Sequence, residues 1–159
     1  MDFMSDELFD GRRIRLLTIV DNSTRESVAM EVGGHIGGHR VVEILMRLGK
    51  ERGLPRTIRV DNGPEFISKQ LDQWAYLNGV QLDFCRPGKP TDNGLMEVFN
   101  RRLRQECLNE SRFLSLEGAR EKIETWRLDY DRGRLRFSEQ NGRRLGGNWP
   151  GREVSRITG

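Results

Sequence analysis

The feature that most constrains this chain is a change of apolar period part-way along it. Three short runs rich in branched residues come first: Phe3 to Leu8, Arg13 to Val20 and Ser27 to Val32. Turn chemistry separates them, Asp10-Gly11 after the first and Asp21-Asn22-Ser23 after the second. Strands joined this tightly pair antiparallel, because a parallel pair needs a long crossover. Glycines at 33, 34, 37 and 38 then interrupt the pattern,. From Gly38 to Arg52 the residues Val41, Val42, Leu45 and Leu48 recur at helical spacing,. Thr57 to Val60 reads as a short buried strand and Val80 to Phe84 as a fifth strand. Between them Ser68 to Asn78 reads as a helix with Leu71, Trp74 and Ala75 on one face,. A helix from about Leu95 to Cys107 follows. The last helix is capped by Ser115 and runs to about Tyr130, with Leu116, Ala119, Ile123 and Trp126 inward,. This order specifies the α/β class: a mixed five-stranded sheet, three antiparallel strands then alternating α/β, covered by helices.

A chain of 159 residues holds one domain with a real core,. No apolar run approaches the roughly 18 residues that span a bilayer, so a soluble, cytoplasmic protein without a membrane partner is expected. Cys85 and Cys107 are far apart and form no CxxC pair, which argues against a zinc ribbon or disulfide framework. Charge is unevenly spread. Residues 1–100 carry 13 basic and 15 acidic groups, residues 101–159 carry 14 and 9. A basic second part fits a nucleic-acid partner. Residues 131–159 hold six glycines, seven arginines and little apolar periodicity. They read as a poorly ordered basic tail behind a 1–130 core.

Three acids stand where a metal site would want them: Asp2 at the start of the first strand, Asp61 at the end of the fourth, and Glu97 near the start of a helix. First and fourth strands can be neighbours, which puts Asp2 beside Asp61. Hard cations such as Mg²⁺ and Mn²⁺ take oxygen ligands, and two ions about 3.5–4 Å apart can clamp both oxygens of an in-line phosphoryl displacement. Plainer readings compete at each position. Asp61 suits the turn Asn62-Gly63-Pro64, Glu97 suits a solvated first helical turn, and Asp6 and Asp21 rival Asp2. Arg101 and Arg104 follow Glu97 by four and seven positions on one helix face,. That spacing fits a DNA phosphate and an ordinary Glu–Arg pair equally well. His35 and His39 read as solvated histidines, and Trp74, Trp126 and Phe99 as packing residues.

The segments VDNGPEF (60–66), RPGKPTDNGLMEVFNRRLRQECLN (86–109) and FLSLEGAREKIETWRLDY (113–130) closely resemble bacterial insertion-sequence transposases with a retroviral-integrase catalytic core. The resemblance runs from Asp2 to about Tyr130, and 35 residues separate Asp61 from Glu97, as in the Asp-Asp-35-Glu family. It implies a ribonuclease H-like fold and a catalytic, metal-binding set of Asp2, Asp61 and Glu97 with two Mg²⁺ (or Mn²⁺) ions. It implies DNA contacts from Arg101 and Arg104, with Lys89 and Asn62 as further DNA-binding candidates. The implied reaction is in-line attack of water or a DNA 3′-hydroxyl on a phosphodiester, with no covalent protein–DNA intermediate. Implied partners are mobile-element ends, target DNA and further copies of the chain, in a bacterial, nucleoid-associated setting. Two departures stand out. Family members carry a helix-turn-helix region before the core, whereas this chain starts one residue before Asp2, so a full first strand is not expected. Family members continue after Asp-Tyr with Arg-Pro-His-Ser, whereas residues 131–137 read DRGRLRF, as a shifted reading frame would leave them. A catalytically silent relic that binds DNA or associates with an intact copy, and a ribonuclease H or junction nuclease, share the same fold.

Overall fold

The structure is a computed structural model that describes residues 1–140. Strands β1 (Asp2–Glu7), β2 (Arg13–Val20) and β3 (Ser27–Gly33) form an antiparallel sheet in that order, with Asp2 opposite Thr18 and Leu17 opposite Glu31. Helix α1 (Gly38–Arg52) leads to β4 (Thr57–Val60), and helix α2 (Lys69–Asn78) leads to β5 (Gln81–Phe84). Strands β4 and β5 pair in parallel, Val60 opposite Phe84. A 3₁₀ turn (Pro90–Asn93), helix α3 (Gly94–Leu103), a π-helical turn (Arg104–Leu108) and helix α4 (Leu116–Gln140) complete the described chain.

The expected strand sequence is present, and its hydrogen-bond ladders divide into a triplet and a pair. They meet at β1 and β4, where the Met1 amino nitrogen donates to the Arg59 carbonyl at 2.7 Å. Contrary to expectation, β1 forms over six residues, each with a partner on β2. The reason lies in β2, which is buried on both faces and templates β1 and β3 together. Alternate side chains of a strand point to opposite faces. Leu17 and Ile19 therefore pack with Val41, Leu45, Phe66 and Leu71 of the α1–α2 side. Ile14 and Leu16 pack with Leu103, Phe113, Ala119 and Ile123 of the α3–α4 side. At about 1.5–3 kcal/mol for each fully buried branched or aromatic side chain, this central strand dominates the core.

Local signals place the helices. The Ser68 hydroxyl accepts the Leu71 N–H at 3.2 Å, and Gly79 closes α2 in the left-handed conformation at φ 65°,. The Ser115 hydroxyl accepts the Gly118 N–H at 3.0 Å at the start of α4. Helix α4 does not stop near Tyr130. It continues to Gln140, and polar side chains on either side of Tyr130 dock it on the β2–β3 hairpin. Asp131 Oδ1 accepts the Ser27 N–H at 2.9 Å, Arg127 Nη1 donates to the Ser27 carbonyl at 2.6 Å, and Arg134 Nη1 donates to the Thr24 carbonyl at 2.8 Å. Apolar periodicity is blind to such contacts. The part of the expected tail at 141–159 lies outside the described residues.

Ser27 is fully buried, so losing the Asp131 acceptor strands its N–H. Asp131→Ala is expected to lower unfolding free energy by about 1–2 kcal/mol, read as a shift of the urea midpoint. A chain ended at Tyr130 should unfold at lower urea than one ended at Gln140.

Candidate metal-binding site

Asp2 opens β1, and both of its carboxylate oxygens are engaged. Oδ1 accepts the Phe3 N–H at 2.8 Å and Oδ2 accepts Asn100 Nδ2 at 2.7 Å. Asn100 lies on the buried side of α3. Its other amide atom, Oδ1, is 3.0 Å from the hydroxyl of fully buried Thr18, and that hydroxyl also lies 3.2 Å from the Asp2 carbonyl. Thr18 stands opposite Asp2 in the ladder. Sheet register and helix position thus fix the orientation of one carboxylate through one amide.

Asp61 follows β4. Its Oδ1 accepts the Gly63 N–H at 2.9 Å, a local turn that Asp forms with the backbone two residues on,. A side chain at Gly63 would stand 2.9 Å from Asp61 Oδ1 and 3.2 Å from Glu65 Oε2, so the turn needs glycine for space. Asn62 Nδ2 donates to the Cys85 carbonyl at 2.9 Å, and the Cys85 N–H donates to the Val60 carbonyl at 2.9 Å, tying the turn to the end of β5.

The Asp2 and Asp61 carboxylates interact directly. Burial raises the Asp2 pKa first, the negative charge of Asp61 raises it further, and the Phe3 N–H opposes both. Half-burial beside a second carboxylate favours the protonated form of Asp2,. The donor set is all oxygen, which suits a hard divalent cation.

Glu97 stands apart from this pair. It is exposed in the first turn of α3, one turn, or about 4.5 Å of axial rise, before Asn100. Among the described residues no three His, Cys, Asp or Glu side chains lie close enough to hold one ion. Of the three acids read from the sequence, the fold brings Asp2 and Asp61 together and sets Glu97 on the adjacent helix. Asp21 is a buried turn residue whose Oδ1 accepts the Ser23 and Thr24 N–H groups at 2.7 and 2.9 Å. Asp6 Oδ1 accepts the Glu7 N–H at 2.9 Å.

The candidate DNA contacts separate in the same way. Arg101 and Lys89 are exposed. Arg104 lies where α3 passes into the π-helical turn, and its Nη2 donates to the Ser5 carbonyl of β1 at 2.7 Å. Asn62 commits its amide N–H to the turn. Lys89 rides on a loop that Arg86 and Asp92 clamp with two 2.8 Å contacts, and the Arg86 guanidinium holds the Asp92 carboxyl well below the usual carboxylate range. A cavity of about 240 Å³ opens beside Met1 and the start of α3, but none of the three acids lines it. His39 pairs with Glu43 at 3.3 Å.

Sequence reasoning missed Asn100 and Thr18. The available signal was position: Asn100 is three residues after Glu97, on the stripe that meets β1.

A raised Asp2 pKa carries a sign. The protonated form favours the fold, so this contribution is complete below the unfolded carboxylate range and is lost as pH rises through the folded value,. Asp61→Asn removes the opposing charge. Without metal it is expected to raise the melting temperature at pH 7 by about 2–4 °C and to leave it nearly unchanged at pH 3. Asn100→Leu removes the donor to Asp2 Oδ2 and one of the two partners of the buried Thr18 hydroxyl, and should cost about 1–3 kcal/mol, measured by urea unfolding.

With this geometry in hand, comparison with known proteins gives one answer. Two family models described as "Integrase core domain" match residues 1–90 and 78–138. An "Insertion element IS407 uncharacterized 31.7 kDa protein" of Burkholderia multivorans is 48% identical over 134 residues, covering 84% of this chain and 48% of that protein. An "Insertion element IS476 uncharacterized 39.2 kDa protein" of Xanthomonas euvesicatoria is 46% identical over 131 residues, covering 82% of this chain and 38% of that protein. The chain therefore spans about half, or less, of the length of these relatives. Among solved structures, the HTLV-2 integrase catalytic core domain in complex with magnesium superposes with a TM-score of 0.55 at 18% identity, covering 77% of this chain and 80% of that one. The fold is that of retroviral integrase catalytic cores, ribonuclease H-like. The resemblance to insertion-sequence transposases holds across most of the described sequence, and the chain belongs to the integrase core domain family.

Proposed function

We propose that this chain carries the catalytic site of a transposase, a divalent-cation-dependent centre that breaks and joins DNA phosphodiesters. The observation that carries the reading is the Asp2–Asp61 pair: β1 meets β4 through the Met1–Arg59 bond, which brings the two acids near each other, and Asn100 orients Asp2. Asp2 and Asp61 are the residues that would hold the cation, with Glu97 joining them from α3. A bound Mg²⁺ or Mn²⁺, as one ion or two, supplies neutralisation of charge on the phosphodiester and a lower pKa for the attacking oxygen.

The chain's own residues do the rest. Asp2 would give up its proton on accepting a cation, so affinity rises with pH through the raised Asp2 range,. Asn100 keeps the Asp2 carboxylate in one orientation while that charge changes. The acids lie outside the cavity beside Met1, and such an open setting suits a long polymer better than a small molecule. Exposed Arg101 and Lys89 stand on the elements that carry Glu97 and precede it, where they would engage DNA phosphates,. Their charges position the duplex without reading its sequence. DNA at the mobile-element ends, target DNA and further copies of the chain are the proposed partners, in the bacterial cytoplasm.

Glu97's place outside the acid pair favours one second reading, a core that keeps the fold and associates with DNA or with an intact copy without cleaving. Nicking of DNA that carries element ends, assayed with Mn²⁺, separates the two. The catalytic reading expects cleavage by the wild type, with a loss of at least about 100-fold in Asp61→Asn and in Glu97→Gln. Equal activity in wild type and both variants, or none in the wild type, rejects it. Arg101→Ala and Lys89→Ala should each lower the slope of log affinity against log salt by about one, read by fluorescence anisotropy on duplex DNA.

A further inference from the structure

One charged pair has no part in the reading above and sits directly behind it. Arg15 Nη2 donates to Glu65 Oε1 at 2.6 Å, joining β2 to the turn that carries Asp61 across 50 residues of sequence. Glu65 is the more buried partner, its side chain 17% exposed against 35% for Arg15. The Arg15 guanidinium also lies over the Phe3 ring, 4.9 Å from its centroid, and the Phe3 and Phe66 rings are 5.0 Å apart. Phe3 follows Asp2 directly, and its N–H holds Asp2 Oδ1. Phe66 follows Glu65, is fully buried, and its N–H donates to the Gly63 carbonyl at 3.0 Å. Arg15 therefore grips, with one guanidinium, the residue after the first acid and the loop after the second.

We infer that Arg15 and Glu65 are positioning residues that set the separation of the Asp2 and Asp61 carboxylates. The inference rests on the proposed metal-binding reading of that pair. Its physical basis is a difference in how the two acid-bearing segments are tied. Asp2 is fixed by strand register and by Asn100. Asp61 lies just past β4, whose ladder ends at Val60, in a turn that Asn62 ties to the end of β5. The two carboxylates repel when both are charged, and that force pushes the Asp61 turn away from β1. A cross-link from β2 to Glu65 resists the push, and the Phe3–Phe66 contact supports it along the same line. The guanidinium fork suits this role better than an ammonium, because it stacks on a ring and donates to a carboxylate together. Glu65 Oε2, the oxygen not taken by Arg15, would stand 3.2 Å from a side chain at Gly63, close beside the Asp61 turn. Movement of Glu65 is thus movement of the Asp61 turn.

The test uses the full chain and Mn²⁺ alone, with binding followed by electron paramagnetic resonance well below the melting temperature. Arg15→Met and Glu65→Gln are each expected to weaken Mn²⁺ binding by about tenfold, and the double variant no more than the worse single one, because both act through one contact. Arg15→Lys should recover part of the loss. Hydrogen exchange at the Phe66 and Ile67 amides of the metal-free protein, which both donate to the Gly63 carbonyl, should quicken in both single variants while α1 amides hold. Wild-type binding with both single variants within twofold of it overturns the positioning role and leaves the metal reading standing. Losses that multiply in the double variant overturn it too. Failure of the wild type to bind Mn²⁺ at all overturns the metal reading and this inference together.

Discussion

Two negative charges that must stand close together govern this molecule. Asp2 and Asp61 lie on segments 59 positions apart in sequence, and nothing local draws them together. What does so is the meeting of β1 with β4, recorded in the Met1–Arg59 bond, and behind it the burial of β2 on both faces. Burial raises the Asp2 pKa most, and the charge of Asp61 adds to it. Neutral donors offset part of it: the Phe3 N–H and the Asn100 amide at Asp2, the Gly63 N–H at Asp61.

Much of this was legible in the sequence, for identifiable reasons. The run RIRLLTIV announced a central strand because a strand covered on both faces needs no alternation. The Asp61 turn was legible because Asp, Asn and Gly in succession have few other uses. Polar docking was not legible. The last turns of α4 are held by Arg127, Asp131 and Arg134 against backbone groups of Thr24 and Ser27. No periodicity marks such partners, so that segment read as tail. A first strand was expected, but not in full, and that shortfall proved wrong for a related reason. Proximity to a chain end says nothing about the partner strand, and β2 supplies a complete one.

At the site itself the sequence named acids and the structure adds their supports. Asn100 looked like one more polar residue on a helix, yet it is the only hydrogen bond among the described residues that joins α3 to Asp2. Thr18 looked like a strand threonine, and it is the buried hydroxyl that fixes the Asn100 amide. Both are set by pairings across 16 and 82 residues, which no local pattern encodes. Arg104 went the other way. Helical spacing placed it on the Glu97 stripe, but it is spent on the Ser5 carbonyl where α3 gives way to the π-helical turn.

The same contacts give Glu97 a short list of ways to move. Its helix is anchored one turn later through Asn100, and Phe99 packs edge-on against Trp126 and Tyr130 of α4 at 5.6 and 5.1 Å. Arg102 lies over Tyr130 and pairs with Glu106, which also accepts the Trp126 indole N–H at 3.0 Å. Helix α3 is therefore held against α4 on one side and β1 on the other, so a rigid swing of the helix would break several contacts at once. Rotation of the exposed Glu97 side chain breaks none of these. The exposed side chain can turn without disturbing the helix, at a cost of little more than side-chain entropy. Glu97 thus stands as an exposed side chain on a fixed helix, whereas backbone and amide donors hold the Asp2 and Asp61 carboxylates in place.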